Sequence, residues 1–338
     1  MMKVSDFDYY LPEELIAQRS TEERDASRLF VVHPNHHEHH SFKDIVSYFS
    51  QGDVLVINDT KVMPARVFGV KKTGAQIEFL FIRPIAYGMW EAMIKPAKRV
   101  KQGDTILCNN CILTIHEKLD WGGVIVAFPD KMDVPTFFAQ CGRMPIPPYI
   151  HNDDQNYLRD RYQTVYADNN GSVAAPTAGL HFTREILDSL QRKGVIITTI
   201  TLHVGPGTFL PVKTDNVDDH RMHSEYFSIP ETTMHYVNER KGRVFACGTT
   251  VVRTLEFMTD PHGMLQSGSG WCDLFIKPGY TFKLVNCFIT NFHLPKSTLI
   301  MLVAARIGRE RILSLYDVAV RERYRFFSFG DAMLILDR

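Results

Sequence analysis

Four segments between Ser172 and Glu256 gather Gly, Thr, His and charged residues where strands should end and helices begin. They read SVAAPTAGLHFT (Ser172–Thr183), TLHVGPGTF (Thr201–Phe209), MHSE (Met222–Glu225) and GTTVVRTLE (Gly248–Glu256). Such junctions expose backbone donors and short polar side chains, which is why ligand sites are often built there. His203 closes an apolar run and is followed by two glycines flanking Pro206. An imidazole titrates near neutrality, so His203 suits general acid–base work, with a satisfied core histidine as the alternative; His181 poses the same choice. In GTTVVRTLE, Gly248 permits a tight turn, and Thr249 and Thr250 can cap a helix and present hydroxyls. Arg253 and Glu256 fall on its next turns, and a capped surface helix with an ion pair is the plain alternative. FHLPKSTLIMLV sets His293, Pro295, Lys296, Ser297 and Thr298 before an apolar helix. With Pro295 near N1, that helix start favours a carboxylate or phosphate.

Metal and nucleotide motifs are weak. His220, His223 and Glu225 could face one another on a helix, but no HExxH occurs, and no metal is expected there. HPNHHEHH (His33–His40) holds five histidines in eight residues without helical spacing and reads as a solvated turn. Neither a GxGxxG after an early strand nor a GxxxxGK[ST] is present. Cys108 and Cys111 flank Asn109-Asn110, as expected of a type I′ hairpin rather than a zinc site.

The elements that must position these residues fall into two kinds. DVLVIN, PARVFGV, QIEFLFIRP, WEAMIK, DTILC, CILTI and GVIVAF are short β-like runs without a long helix between them, which suggests a small barrel or sandwich. PIPPYI and HNDDQN then mark a linker. Beyond it, a helix over 180–193 would bury Phe182, Ile186, Leu187 and Leu190 and stop at Gly194. VIITTITLHV and RVFACG read as strands, with a helix over about 231–241 between them, and AMLIL is a last strand. LPEELIAQ near the N-terminus has a short helical pattern. The fold class expected is α/β: a mostly parallel sheet with flanking helices, plus an inserted small all-β barrel.

Composition sets the outer limits. The chain has 338 residues, 45% hydrophobic and 22% charged, with a formal net charge of +0. That length accommodates two cores, and the neutral total excludes an indiscriminate polycation while permitting a local basic face. The first residues lack an apolar signal core, and the longest apolar run, Leu299–Ala305, is too short to span a bilayer. Six scattered cysteines suit a reducing compartment, so a cytoplasmic location is expected. Lys98 and Arg99 lie in the basic run KPAKRVK. Arg321, Arg323 and Arg325 alternate with Tyr324, Phe326 and Phe327, a combination able to hold phosphates and stack unpaired bases. Solvated charges and core aromatics are the alternative.

Taken together, ERDASRL, NDTKVMPAR, GRMPIPPYI, RYQTVYA, the four segments above, FIKPGY, ITNFHLPKSTL and RERYRFFSFGDAMLIL closely resemble the S-adenosylmethionine:tRNA ribosyltransferase-isomerase family of the queuosine pathway. Val251 and Cys272 depart from the family pattern without touching its charged or histidine positions. The resemblance implies an α/β unit made of residues 1–59 and 156–338, with a β-barrel inserted at 60–155. It implies transfer of the ribosyl part of S-adenosylmethionine onto 7-aminomethyl-7-deazaguanine at the wobble position of a tRNA with a GUN anticodon. Adenine and methionine leave, and epoxyqueuosine-tRNA forms. S-adenosylmethionine is then a consumed cosubstrate, with no permanently bound cofactor, no metal, no membrane association and a monomeric enzyme expected. On this basis His203 and His181 are the expected acid–base pair, with Asp59, Glu225 and Glu256 orienting them or meeting the sulfonium. Gly248, Thr249, Thr250 and Arg253 are expected to hold the donor, with Asp273, Gly205, Gly207, Thr208 and His293 completing its site. Arg143, Lys98, Arg99, Arg321, Arg323 and Arg325 are the candidates for tRNA contacts. A methyltransferase using the same cosubstrate and a non-catalytic RNA-binding module are the rival readings.

Overall fold

The structure, a computed structural model, describes residues 2–205, 207 and 212–336. It opens with β1 (Arg28–Val32), β2 (His37–Ser41) and β3 (Val54–Asn58), followed by the short β4 (Thr60–Val62). Six strands then form a closed barrel: β5 (Arg66–Lys71), β6 (Gln76–Ala86), β7 (Met89–Lys95), β8 (Thr105–Cys108), β9 (Cys111–Lys118) and β10 (Val124–Ala127). Helices α1 (Val134–Cys141) and α2 (Gln155–Arg161) lead to β11 (Asn169–Ser172), which pairs with β4. The rest alternates: α3 (Arg184–Arg192), β12 (Ile196–Leu202), β13 (Glu225–Ile229), α4 (Glu231–Asn238), β14 (Val244–Cys247), α5 (Thr249–Phe257), β15 (Gly268–Cys272) and β16 (Cys287–Asn291). The chain closes with α6 (Thr298–Ile307), α7 (Arg309–Arg321) and β17 (Ala332–Ile335). Among the described residues, no helix is long and apolar enough to cross a membrane.

The large sheet runs β15-β13-β12-β3-β14-β16-β17-β1-β2. Its central strands β12, β3, β14 and β16 are parallel, but β13, β15, β17 and β2 each pair antiparallel with a neighbour, so the sheet is mixed. The connections explain this. Two successive helices, α6 and α7, carry the chain away and back, so β17 must run against β16. Among the described residues, no α-helix lies between β12 and β13, and the chain returns antiparallel. Central strands are buried on both faces, and their side chains alternate between two cores. Val54, Val56, Val244 and Ala246 pack under α4–α7, whereas Leu55, Ile57, Phe245 and Cys247 pack against α3 and Phe42, Ile45 and Phe49.

Local signals held in several places and failed in others. Thr183 caps α3 by accepting from the Ile186 amide, Ile186 and Leu190 are buried, and Gly194 follows with φ +85°. Burying those two side chains stabilises this packing by about 1.5–3 kcal/mol each. α4 stops at Asn238, well before Gly242, which packs against Gly52 and Asp53 instead. LPEELIAQ yields only a three-residue turn, Glu13–Leu15. DVLVIN joins the large sheet as β3, and the other six β-like runs build the barrel. Cys108 and Cys111 pair across β8 and β9, but only Asn109 of the two turn residues has a positive φ, where a type I′ turn requires both.

Candidate active site

Strand β14 ends at Cys247, and the chain must turn at once into α5. Gly248 allows this with φ +97° and ψ 147°, a conformation essentially reserved for glycine. No side chain caps α5, so the expected Thr cap is absent. Thr249 and Thr250 instead line a cavity of about 420 Å³ at the carboxyl ends of β14 and β16. Crevices outside the carboxyl ends of parallel strands are the usual ligand sites of α/β sheets. The cavity's opposite wall is Thr290, Asn291, Phe292, His293, Leu294, Pro295, Lys296 and Ser297. Ser297 caps α6 through the Ile300 amide, so helix formation begins at Thr298 and Pro295 stands in the turn before it. The amino ends of α5 and α6 therefore both reach this cavity, an arrangement favourable to an anionic group. Pro148, Tyr149, Ala175, Pro176, Val204 and Phe327 supply apolar surface, with the Tyr149 and Phe327 rings stacked at 4.6 Å.

Asn291, the last residue of β16, was not singled out from the sequence. Its Nδ2 donates to His181 Nε2 at 3.0 Å, and His181 Nδ1 stands 2.7 Å from Ser27 Oγ. With Nε2 accepting, Nδ1 carries the proton and donates to Ser27. This chain orients the Asn291 amide and leaves its buried Oδ1 with no hydrogen-bond partner. A buried acceptor left unpaired costs about 1–3 kcal/mol, so a ligand N–H would be well received there. The available signal was a polar residue ending the apolar strand CFITN at a parallel strand's carboxyl end.

His293 is the imidazole of the cavity wall. Its Nε2 lies 2.7 Å from Thr290 Oγ1, its backbone N–H donates to the Tyr316 hydroxyl, and its carbonyl accepts from Tyr9. Burial lowers its pKa to about 3, and burial followed by nearby Arg325 and Arg24 lowers His181 to about 3 as well. Both rings are neutral in the native state at pH 7. Because the unfolded chain gains these protons near pH 6.5 and the native state does not, stability is complete above that pH and falls as pH drops towards 3. Denaturant unfolding should show a loss of about 2 kcal/mol per histidine between pH 7 and 5; equal stability at both values would contradict neutral burial.

The other expected residues are distributed around this cavity rather than gathered in it. The structure does not bring His203 and His181 together. Half-buried His203 bonds Thr60 Oγ1 through Nδ1 at 2.8 Å, its ring stacks with Tyr226, and it passes over Gly171, where a Cβ would lie 2.5 Å from the ring. Burial lowers its pKa and nearby Asp59 raises it. Asp59 accepts from Thr201. Glu225 receives the Gly205 amide and pairs with Arg253 at 2.8 Å, both side chains buried. Glu256 accepts the Lys283, Leu284 and Val285 amides and the Tyr280 hydroxyl, which makes it an anchor for that loop. Asp273 is exposed. Among the described residues, no carboxylate lines the cavity. Gly207, His220, Met222, His223 and Arg253 line a small adjoining cleft that shares Leu299 with the cavity, and Thr208 lies outside the described residues.

Of the tRNA candidates, Lys98, Arg99, Arg143, Arg321 and Arg323 are exposed, while half-buried Arg325 donates to the Arg19 carbonyl. Tyr324 and Phe326 are buried in the core, so they cannot stack unpaired bases, whereas Phe327 faces the cavity. Their alternation with arginines records the side a residue faces.

A family model described as a queuosine biosynthesis protein matches residues 4–335. The chain belongs to that family. Queuosine-family relatives from Desulforamulus reducens and Symbiobacterium thermophilum, each named S-adenosylmethionine:tRNA ribosyltransferase-isomerase, are 50% identical to it. Each alignment covers 99% of this chain and 100% of the relative. A crystal structure of the S-adenosylmethionine tRNA ribosyltransferase from Thermotoga maritima is 36% identical. It covers 98% of this chain and 100% of its own, with a TM-score of 0.55.

Proposed function

We propose that this queuosine-family enzyme transfers and isomerises the ribosyl part of S-adenosylmethionine onto 7-aminomethyl-7-deazaguanine in the wobble position of a GUN-anticodon tRNA. Adenine and methionine are released. The observation that supports this best is the cavity in which two helix amino ends, the Asn291 acceptor and the His293 imidazole meet an apolar wall. Its volume suits a small-molecule substrate. The donor's carboxylate would lie against Thr249, Thr250 and the amino ends of α5 and α6, with its purine against the apolar side. Asn291 Oδ1 would accept an N–H from a purine or deazaguanine ring.

The reaction needs a base for the C5′–H that the sulfonium acidifies, and an acid for the departing adenine. His293 lies in the cavity wall, so it replaces the His203–His181 pair as the first candidate for the base. His181 becomes a positioning residue acting through Asn291. The chain would act as a monomer in the cytoplasm, and exposed Lys98, Arg99, Arg143, Arg321 and Arg323 remain the candidates for tRNA phosphates. Incubation with S-adenosylmethionine and tRNA bearing the aminomethyl base should release adenine and methionine together, and only with the modified tRNA. Release of S-adenosylhomocysteine would mean methyl transfer, and tRNA binding without any release would mean a binding module; either overturns the proposal.

A further inference from the structure

The histidine-rich segment His33–His40 takes no part in the cavity, yet the fold converts its irregular spacing into a cluster. His33 and His36 bracket the β1–β2 turn. Alternation along β2 sends His37 and His39 towards Phe30 and places Glu38 and His40 with Tyr48. Three imidazoles converge on one carboxylate: Nε2 of His33, His36 and His40 lie 3.2, 3.3 and 3.2 Å from the Glu38 oxygens. Two ligands bound to one tetrahedral ion at about 2.0–2.1 Å stand about 3.3 Å apart. A second observation separates this cluster from ordinary surface pairing. The His33 Nε2 atom is buried and, despite its proximity to Glu38, makes no directed hydrogen bond.

We propose that His33, His36 and Glu38 bind one divalent transition-metal ion of the zinc class, with water completing its coordination. Their three ligand atoms lie within 4.8 Å of one another. Imidazole nitrogens with one carboxylate favour zinc-class ions over calcium or magnesium, which prefer all-oxygen sites. The Tyr48 hydroxyl donates to Glu38 Oε2 at 2.7 Å, so the carboxylate is already oriented. His33 and His36 stack with centroids 4.1 Å apart. His36, 59% exposed, has room to swing its nitrogen towards the ion. The site is a structural clip on the turn before edge strand β2, and Arg311 of α7 donates to the His33 and His36 carbonyls, tying that turn to the helix. It is separate from the proposed reaction.

The test uses the untagged full chain, stripped of metal and titrated with zinc chloride against a chromophoric chelator. One ion per chain is expected. His36→Ala and Glu38→Gln should each weaken it more than tenfold, a loss that removal of even an outer-shell partner can cause. Zinc should raise the melting temperature of the wild type and not of His36→Ala, whose metal-free melting should match the wild type because His36 is exposed. Cys111→Ser probes the cysteine pair of β8 and β9 and should leave the titration unchanged. Wild-type affinity in both hairpin variants, no binding by the wild type, or loss of the ion on Cys111→Ser would overturn the assignment.

Discussion

Replacing His293 with glutamine is expected to slow adenine release about 10²–10⁴-fold, the contribution of a positioned general acid or base. Glutamine can retain a hydrogen bond to Thr290, and the main chain at 293 is held independently by Tyr316 and Tyr9. The cavity should therefore keep its shape while losing the group that can take a proton. Single-turnover release of adenine and methionine measures the chemical step, and filter binding of the modified tRNA should change little. A variant that turns over near the wild-type rate would remove His293 from the proton transfer. The same assay on His203→Ala separates the two assignments, because His203 bonds Thr60 and does not line the cavity.

Arg253→Met should destabilise the protein by about 3–5 kcal/mol by removing one partner of its buried ion pair with Glu225. For a chain of this size that lowers the melting temperature by about 5 °C. Arg253 also donates to the Leu274 and Cys272 carbonyls, so those acceptors lose a partner too. The double variant Arg253→Met/Glu225→Gln should recover part of the loss, because the buried carboxylate charge is then removed together with the guanidinium. Since Glu225 holds the Gly205 amide, the loop leaving β12 should loosen and the apparent affinity for S-adenosylmethionine should fall. Unchanged melting with weakened donor binding would instead restore the sequence-based role, in which Arg253 meets the donor directly.

The local grammar around the site was largely legible. Gly248 after an apolar strand announced a strand-to-helix turn, and the turn is there with a glycine-only conformation. His293 and Ser297 before an apolar helix announced a helix start, which lies three residues beyond the expected proline. Side-chain partners were not legible. GTTVVRTLE contains residues at the cavity, Thr249 and Thr250, and others that bond elsewhere, Arg253 and Glu256. All four share one face of α5, so position along the helix divides them: the threonines stand at its amino end, and Arg253 and Glu256 lie one and two turns further on. The hydroxyls and charges of one motif thus acquired unrelated tasks.

The sequence by itself determined the family, the alternation of strands and helices around a barrel, and the junctions where a ligand site would form. Those features depend on residue type and on spacing along the chain. Only the tertiary structure decided which junctions share a cavity. Asn291 and His181 are 110 positions apart in the chain and meet through a hydrogen bond. His203 and His181, both attractive in sequence, are directed to Thr60 and to Ser27. Strand order in the mixed sheet, fixed by long-range pairing and by the number of helices in each connection, made that division. Burial then did what no local pattern encodes, keeping His181 and His293 neutral.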